Sequence, residues 1–341
     1  MSSVFEDYLL DIAEDLKAPG DHDDFYEVLD FVMITVKGNS LLRSICHPRF
    51  LIFGSAAHEV RMYDNDEYDV MIELEFPNYE QILVRPDQHR PGMVHLCFKQ
   101  LDSHNFVEDT LLDHRWYLKR KGVRNWMDSI LSDLHDRLIW VNNRRYAYRL
   151  HCERRKNCYT ITATSENRQF SIDFVPAIKV LFEGIDLQVV PKSMPGPKRS
   201  SGCTFMVHNI PEELDLFNGG GVMIQDAVIL LKALCESKGL PKIRFYHLVS
   251  LALWLMDSED IEEYSLEDIF LDLLDDLCDA FEKNFLLYYS YEELNLLFNF
   301  KPHQLAEYAK VLNEAYMTLK TYPHQENLSF GRCNWHFVGD E

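Results

Sequence analysis

A Gly-Ser pair, followed twelve residues after the serine by an acidic pair, is the clearest chemical pattern in this 341-residue chain. Gly54 lets the backbone approach a phosphate closely, and the Ser55 hydroxyl can donate a hydrogen bond to a phosphate oxygen. Glu67 and Asp69 are two residues apart in an alternating segment, so both carboxylates point to the same face of a strand. Two like charges on one face repel unless a cation lies between them, and hard oxygen ligands suit Mg²⁺.

A third acidic residue, Asp173, lies in the apolar segment 170–175 of another predicted strand. A buried charge in such a segment is costly without a partner. Two metal ions bridged by Asp173, Glu67 and Asp69 would activate an attacking hydroxyl and neutralise a leaving pyrophosphate. Each element alone has a structural explanation: a turn, a solvated strand face and a capping aspartate. The ordered combination predicts a nucleotidyltransferase.

The elements that carry these residues follow from hydrophobic periodicity. Strands are predicted at 50–53, 68–76, 146–152, 158–163 and 170–175. Helices are predicted at 4–16 and 25–36, with a mixed basic and apolar stretch of helical period at 116–141, and then at 225–236, 246–256, 266–285 and 302–319. This order predicts an α+β fold in two lobes, divided near the Pro- and Gly-rich loop 191–202. We expect a catalytic core with N-terminal supporting helices at 1–200 and a helical lobe at 201–341.

Composition excludes several classes of protein. With 47% hydrophobic residues and a net charge of -21, the chain is an ordinary acidic globular protein rather than a disordered or fibrous one. The sequence contains no window of 18 consecutive apolar residues, which argues against a membrane-spanning helix. The N-terminus lacks the pattern of a secretory signal. We therefore expect a cytoplasmic protein without a membrane partner. The eight cysteines are scattered, which favours reduced thiols and no structural zinc.

The segments 53–60 and 65–75 resemble the core of cyclic GMP-AMP synthase and its animal relatives, the cGAS-like receptors and male-abnormal (Mab) developmental proteins. The segment 170–175 is similar to the third-carboxylate strand of that family, and 230–234 and 245–249 look like parts of its helical lobe. The resemblance runs from about residue 51 to about residue 256. It implies a polymerase-beta-like nucleotidyltransferase fold, with a mixed β-sheet in the catalytic lobe and a C-terminal helical lobe.

The same resemblance implies roles for individual residues. Glu67, Asp69 and Asp173 would hold two Mg²⁺ or Mn²⁺ ions, and Gly54 and Ser55 would hold phosphate. In the helical lobe, Lys232 would contact the phosphates of the donor nucleotide and Tyr246 would stack on its base. A lysine suits phosphate as a mobile point charge, and a tyrosine ring offers a flat face to a purine. Taken alone, Lys232 and Tyr246 are equally well explained as a solvated lysine and a core aromatic.

Three departures from the family pattern bear on ligand and product. Nothing supplies the zinc ribbon of the vertebrate DNA sensor, and 218–221 is an Asn-Gly-Gly-Gly segment. Thr204 and Met206 stand where the family has an Arg and a Ser near the acceptor base, and Val175 stands where it has a Thr. In lacking the zinc ribbon, the sequence resembles the insect receptors, several of which respond to double-stranded RNA. Double-stranded RNA is therefore the expected activator, and the isomer of the product stays open.

Basic residues concentrate in the middle of the chain, where 113–199 carries 17 basic and 9 acidic side chains. A row of such basic side chains could contact phosphates along a nucleic-acid duplex. The alternative is a solvated basic face that compensates the acidic ends. The candidate nucleic-acid contacts are Lys119, Arg120, Lys121, Arg124, Arg154 and Arg155.

Together these patterns predict a cytoplasmic, metal-dependent synthase that makes cyclic GMP-AMP or a related cyclic dinucleotide from ATP and GTP. It would act as an innate immune sensor activated by double-stranded RNA. Two alternatives stay open. One is a catalytically silent family member that serves as a protein-interaction scaffold. The other is a template-independent nucleotidyltransferase that extends an RNA end.

Overall fold

The structure is a computed structural model that describes residues 3–18, 23–63, 66–101, 105–142, 145–155, 158–197, 201–258, 261 and 263–339. The helices are α1 (Val4–Leu16), α2 (Asp23–Gly38), α3 (Ser40–Ile45), α4 (Gly54–Ala57), α5 (Arg120–Leu131), α6 (Ile210–Gly219), α7 (Gly221–Ser237), α8 (Phe245–Ser258), α9 (Leu266–Lys283), α10 (Pro302–Leu319) and α11 (Phe330–Val338). The strands are β1 (His47–Phe53), β2 (Glu67–Glu75), β3 (Leu83–Pro86), β4 (Met93–Cys97), β5 (Leu138–Val141), β6 (Tyr146–Arg154), β7 (Tyr159–Thr164), β8 (Gln169–Phe182), β9 (Ile185–Pro191), β10 (Phe205–His208), β11 (Leu287–Tyr288) and β12 (Tyr291–Asn295). The α+β class predicted from the sequence is confirmed.

The chain divides into two compact units. The helical unit comprises Met1–Pro19, Gly54–Asn65 and Pro211–Glu341, and the sheet unit comprises Gly20–Phe53 and Asp66–Ile210. Helix α1 belongs to the helical unit and α2 to the sheet unit, so the two N-terminal helices have different packing partners. The predicted division into a catalytic core at 1–200 and a helical lobe at 201–341 stays a prediction.

The sheet unit is built on one mixed sheet. Eight strands follow one another in the order β3-β4-β10-β9-β8-β7-β6-β5, and β2 joins β8 while β1 joins β2. The β2–β8 pair is parallel and the remaining pairs are antiparallel. Strand β8 is long enough to pair with β2 over 171–178, with β7 over 169–174 and with β9 over 178–182. It is therefore the strand against which the others are aligned.

An aromatic cluster covers one face of this sheet. Phe25 of α2 stacks on Tyr68 of β2, with ring centroids 3.8 Å apart and planes 7° apart, and contacts Phe170 of β8 edge to face. The buried hydroxyl of Tyr148 donates to Asp24 over 2.6 Å. Because successive side chains alternate between faces, these contacts fix which residues of β2 and β8 point to the other face.

The helical unit is organised around α7, whose residues from Ile224 to Cys235 are all buried. Helix α9 is amphipathic, and a capping box formed by Ser265 and Asp268 begins it. It ends at Asn284 in the left-handed conformation that satisfies the last carbonyl groups. The buried residues of α9 recur at helical spacing, as expected for a helix that packs on one side. They are Leu266, Ile269, Phe270, Leu273, Leu274, Leu277, Cys278, Ala280 and Phe281.

Helix α1 is fixed to the helical unit by packing and charge. Phe5 contacts Tyr322 edge to face at 5.5 Å between ring centroids. Lys17, just after α1, forms an ion pair of 2.9 Å with the buried carboxylate of Asp226 on α7. Removing one partner of such a buried pair would leave an uncompensated charge, so Lys17 secures the end of α1.

The structure differs from the predicted elements in one larger segment. The stretch 116–141 was predicted to be of helical period throughout, but α5 occupies only Arg120–Leu131 of it, and β5 follows at Leu138–Val141. Residues of β5 alternate between exposed and buried, which is the period of a strand with one buried face. The strand pairs with β6. Part of the predicted loop 191–202, at 198–200, lies outside the described residues.

No single helix in the described part of the chain is both long and apolar enough to cross a membrane. Helices α6 and α7 reach that length and composition only when taken together, and they are bent by 105° with respect to each other.

Candidate functional site

Two of the three predicted metal ligands lie side by side in the sheet unit. Asp69 of β2 and Asp173 of β8 are direct partners in the parallel pair, and Glu67 is paired with Ser171 on the same face. This face lies opposite the aromatic cluster of α2, since Tyr68 and Phe170 point the other way. The parallel pairing of β2 with β8 therefore brings Asp69 and Asp173 together.

The electrostatics of this face are unfavourable without a cation. Burial, together with the negative charges of Asp173 and Glu67, raises the pKa of Asp69 to about 7. Burial and like charges both penalise the ionised carboxylate. The donor set consists of hard oxygen atoms with an excess of negative charge, which is the chemistry that suits Mg²⁺ or Mn²⁺.

Asp173 has two hydrogen-bond donors on its other side. Thr160 of β7 is its direct partner in the antiparallel β7–β8 pair, and the Thr160 hydroxyl donates to Asp173 Oδ1. The Cys158 thiol donates to Asp173 Oδ2 over 3.1 Å. Burial and the neighbouring Asp173 charge raise the pKa of Cys158 to about 12, so its sulfur keeps the proton that it donates.

The third carboxylate is held differently. Glu67 is half exposed, and its Oε1 forms an ion pair of 3.7 Å with Nη1 of Arg155. Arg155 also lies 3.7 Å from Glu153. Among the described residues, no group of three or more His, Cys, Asp and Glu side chains is placed to hold a metal ion. Asp69 and Asp173 are together, whereas the Glu67 carboxylate is engaged by Arg155.

The Gly-Ser pair begins α4 in the helical unit, directly after β1 along the chain. Gly54 has φ of +72°, a left-handed conformation that favours glycine. Its carbonyl oxygen accepts a hydrogen bond of 3.2 Å from the backbone N–H of His58, and Nδ1 of the same histidine lies 2.8 Å from it. Ser55 is buried. A contact of His58 with Gly54 was not predicted from the sequence, although His58 follows Ser55 by three residues.

Lys232 and Tyr246, the predicted nucleotide contacts of the helical unit, differ in exposure. Lys232 is buried on α7, where its ammonium group forms an ion pair with Glu236. Its Nζ also lies 5.7 Å from the ring centroid of Phe245. Tyr246 is 45% exposed, and its ring lies 4.1 Å from that of His247. Tyr246 is therefore partly exposed, whereas the Lys232 ammonium group already has an acidic partner.

The predicted nucleic-acid contacts on α5 and β6 have several intramolecular partners. Arg120 donates to the Lys192 carbonyl over 2.8 Å and to the Thr204 hydroxyl over 2.9 Å. Arg124 donates to the Arg155 carbonyl over 3.3 Å. Thr204 is fully buried, and its hydroxyl also donates to the Lys192 carbonyl over 2.7 Å.

Three more members of the basic set differ in their surroundings. Arg154 forms an ion pair of 3.2 Å with Asp128 of α5. Lys121 is exposed and Lys119 is half-buried at the start of the helix.

The positions that the resemblance assigns to the acceptor base point inward. Met206 is buried, and Val175 is half-buried and paired with Met71 on β2.

Comparison with known proteins identifies both parts of the chain. The family model of the Mab-21 protein nucleotidyltransferase domain matches residues 57–184, and that of the Mab-21 protein HhH/H2TH-like domain matches residues 223–314. The chain belongs to the Mab-21 family. The resemblance found in the sequence is thereby confirmed, as is a nucleotidyltransferase domain followed by a C-terminal helical domain.

Several relatives of this Mab-21 family member are named cyclic GMP-AMP synthase-like receptors. The protein of that name from Lucilia cuprina is 24% identical over 293 residues, which cover 80% of this chain and 79% of its own. Receptor 1 from Drosophila melanogaster is 25% identical over 256 residues, covering 67% of this chain and 66% of its own. The receptor from Nicrophorus vespilloides is 21% identical over 297 residues, covering 81% and 80%.

Two residues around Asp173 were not found by sequence reasoning. Thr160 and Cys158 fall in a segment that was predicted as a strand, but neither was connected with the third carboxylate. A signal was available for Thr160: it begins a row of threonines at every second position, with Thr162 and Thr164, that gives one face of β7 a polar character. For Cys158, the sequence offers no comparable signal.

Proposed function

We propose that this Mab-21 nucleotidyltransferase is a metal-dependent synthase of cyclic GMP-AMP or a related cyclic dinucleotide, with ATP and GTP as substrates. The observation that carries the proposal is the pairing of Asp69 with Asp173 on neighbouring parallel strands, with Glu67 two residues earlier on the same face. The names of the relatives support the choice of a cyclic dinucleotide over other nucleotidyl transfers.

Asp69, Asp173 and Glu67 are the residues that would hold Mg²⁺ or Mn²⁺. Bound there, the metal would supply charge neutralisation at the phosphates and lower the pKa of the attacking hydroxyl. The protein contributes the fixed pairing of β2 with β8, which holds two of the ligands before any metal binds. Glu67 has to leave Arg155 to join them, so the ion pair of 3.7 Å competes with metal binding.

Gly54, Ser55, Lys232 and Tyr246 are the proposed nucleotide contacts. Gly54 adopts a left-handed conformation and, as a glycine, has no Cβ that could obstruct a phosphate. The Ser55 hydroxyl would donate a hydrogen bond to that phosphate. Lys232 would supply a positive charge, and the exposed ring of Tyr246 would stack on a base. Each of these roles rests on the family resemblance as well as on the position of the residue.

Double-stranded RNA is the proposed activator, in a protein that acts in the cytoplasm as an innate immune sensor. Shape-specific contacts with a duplex would be made to phosphates and 2′-hydroxyl groups. Lys119 and Lys121 at the start of α5 are the best placed of the six candidates, because Arg120, Arg124, Arg154 and Arg155 already have partners within the protein. Reversing the charge at Lys119 and Lys121 should weaken activation by RNA and flatten its dependence on salt.

A labelled-nucleotide assay tests the proposal. The purified protein is incubated with labelled ATP and GTP, with Mg²⁺ or Mn²⁺, and with or without double-stranded RNA or DNA. A Glu67→Ala/Asp69→Ala variant is the inactive control. Glu166→Ala, which removes an exposed carboxylate between β7 and β8, is the matched control. We expect a phosphatase-resistant product with RNA, which the double variant does not make and Glu166→Ala does.

The other outcomes identify the alternatives. Extension of the RNA by labelled nucleotides would indicate a template-independent nucleotidyltransferase. No product under any of these conditions, from a protein that is folded by circular dichroism, would contradict the proposed synthase and favour a silent scaffold.

A further inference from the structure

Both carboxylate oxygens of Asp173 accept a hydrogen bond from the β7 side of the sheet. The Thr160 hydroxyl donates to Oδ1 and the Cys158 thiol donates to Oδ2 over 3.1 Å. The two donors are also close to each other, with Cys158 Sγ 3.9 Å from Thr160 Oγ1. Asp69 lies on the opposite side of Asp173, across the β2–β8 pair.

The Thr160 hydroxyl is well fixed. Thr160 is 1% exposed, so its hydroxyl depends on a protein partner. The side chain is β-branched, which limits its first torsion angle, and its position on β7 is set by pairing with Asp173 itself. A hydrogen bond to an ionised oxygen is stronger than one between neutral groups.

Such a pair of donors controls the orientation of the carboxylate. The terminal torsion of an aspartate is broad, so a carboxylate without donors can rotate about it. One donor on each oxygen removes that freedom. Each oxygen has two lone pairs, and a single hydrogen bond leaves the other available for a ligand.

We propose that Thr160 and Cys158 are positioning residues that hold the Asp173 carboxylate in the orientation needed to bind a divalent metal together with Asp69. The inference rests on the proposed function, since it concerns the metal site of that enzyme. The donors act from the β7 side of Asp173, whereas Asp69 lies on its β2 side. Partners that orient a metal ligand in this way usually contribute 10- to 100-fold to metal affinity or activity.

A Mn²⁺ titration without substrates tests the inference by a readout other than activity. Free Mn²⁺ is counted by electron paramagnetic resonance as it is added to the wild type, to Asp173→Asn, which removes one of the proposed metal ligands, and to four further variants. Thr160→Val and Cys158→Ala remove the two donors, whereas Thr160→Ser keeps the hydroxyl. Thr164→Val removes a hydroxyl of the same strand that donates to Gln169 instead.

We expect Thr160→Val to bind Mn²⁺ roughly tenfold more weakly than the wild type, and Cys158→Ala to bind it several-fold more weakly. Thr160→Ser and Thr164→Val should stay within about twofold of the wild type. Melting temperatures measured without metal establish that each variant is folded.

Unchanged Mn²⁺ affinity in Thr160→Val would overturn the inference while leaving the metal site intact. Equal weakening in Thr164→Val or Thr160→Ser would also overturn it, because the effect would then not depend on the donor to Asp173. A wild type that binds Mn²⁺ no better than Asp173→Asn would instead refute the metal site of the proposed function, and the positioning role with it.

Discussion

Neutralising Asp69 should stabilise the protein in the absence of metal. In the unfolded chain this carboxyl ionises near 3.8, whereas burial and the charges of Asp173 and Glu67 raise its pKa in the folded protein to about 7. Between these two values the unfolded chain is ionised at Asp69 and the folded protein is not. The group therefore lowers the free energy of unfolding progressively as the pH rises from about 4 to 7, and its full cost is present above pH 7.

The gap between those two pKa values corresponds to roughly 4 kcal/mol. Asp69 is only half-buried, and solvent screening reduces the electrostatic cost of a group that keeps contact with water. We therefore expect Asp69→Asn to raise the free energy of unfolding by about 2 kcal/mol at pH 8. At pH 4 the difference should be small, because the carboxyl is then protonated in the folded protein and already about half protonated in the unfolded chain.

Urea denaturation in EDTA, at pH 4, 6 and 8, measures the effect, and amide hydrogen exchange in β2 and β8 locates it. Glu75→Gln is the matched control. Glu75 is on the same strand, but its carboxylate forms an ion pair of 3.1 Å with Lys179, so neutralising it should destabilise the protein by about 1 kcal/mol. At pH 8, Asp69→Asn should thus raise the free energy of unfolding, whereas Glu75→Gln on the same strand should lower it.

Metal provides the second half of the test. Mg²⁺ or Mn²⁺ should stabilise the wild type, because it relieves the charge on Asp69 and Asp173, and should have little effect on Asp69→Asn. Equal free energies of unfolding for the metal-free wild type and Asp69→Asn at pH 8 would refute the electrostatic reasoning. A loss of stability in Asp69→Asn would refute it more strongly.

Three further predictions concern other residues. Arg155→Gln should lower the Mn²⁺ concentration for half-maximal nucleotidyl transfer about threefold, because it frees Glu67 from a half-exposed ion pair; unchanged metal dependence would contradict this. Burial, with the charges of Lys238 and Arg332, lowers the pKa of His336 to about 4, so the folded protein should lose ~1.4 kcal/mol per pH unit from 6.5 to 4. Urea denaturation of His336→Gln should show a pH slope flatter by that amount. Leu277→Ala should cost about 2 to 5 kcal/mol, measured in the same way, because Leu277 is fully buried on α9.

The sequence was most informative where one periodicity runs through a whole element. Helices α1 and α10 begin and end where the apolar spacing predicted, because each has a single buried face. Prediction failed at 116–141, where a helical and a strand period follow each other within one stretch and only the pairing of β5 with β6 separates them. Local patterns do not contain that pairing.

The same limit applies to the candidate site. Glu67 and Asp69 could be placed on one face from their spacing alone, because alternation is a local property of a strand. The contacts of Thr160 and Cys158 with Asp173, and of Arg155 with Glu67, join residues on different strands. They depend on which strands are neighbours and in what register, and the sequence did not reveal either.

That register is maintained by the apolar face of the sheet. Asp69 and Asp173 repel each other, so their own interaction opposes the pairing that brings them together. The opposing contribution comes from Tyr68 and Phe170, which pack against Phe25 on the reverse side. A shift of β2 by one residue would turn Tyr68 toward the carboxylate face and expose its ring, which would cost more than the repulsion between the carboxylates. The aromatic cluster therefore holds the charged residues in place, and packing at Tyr68 is as much a requirement of the proposed metal site as the carboxylates themselves.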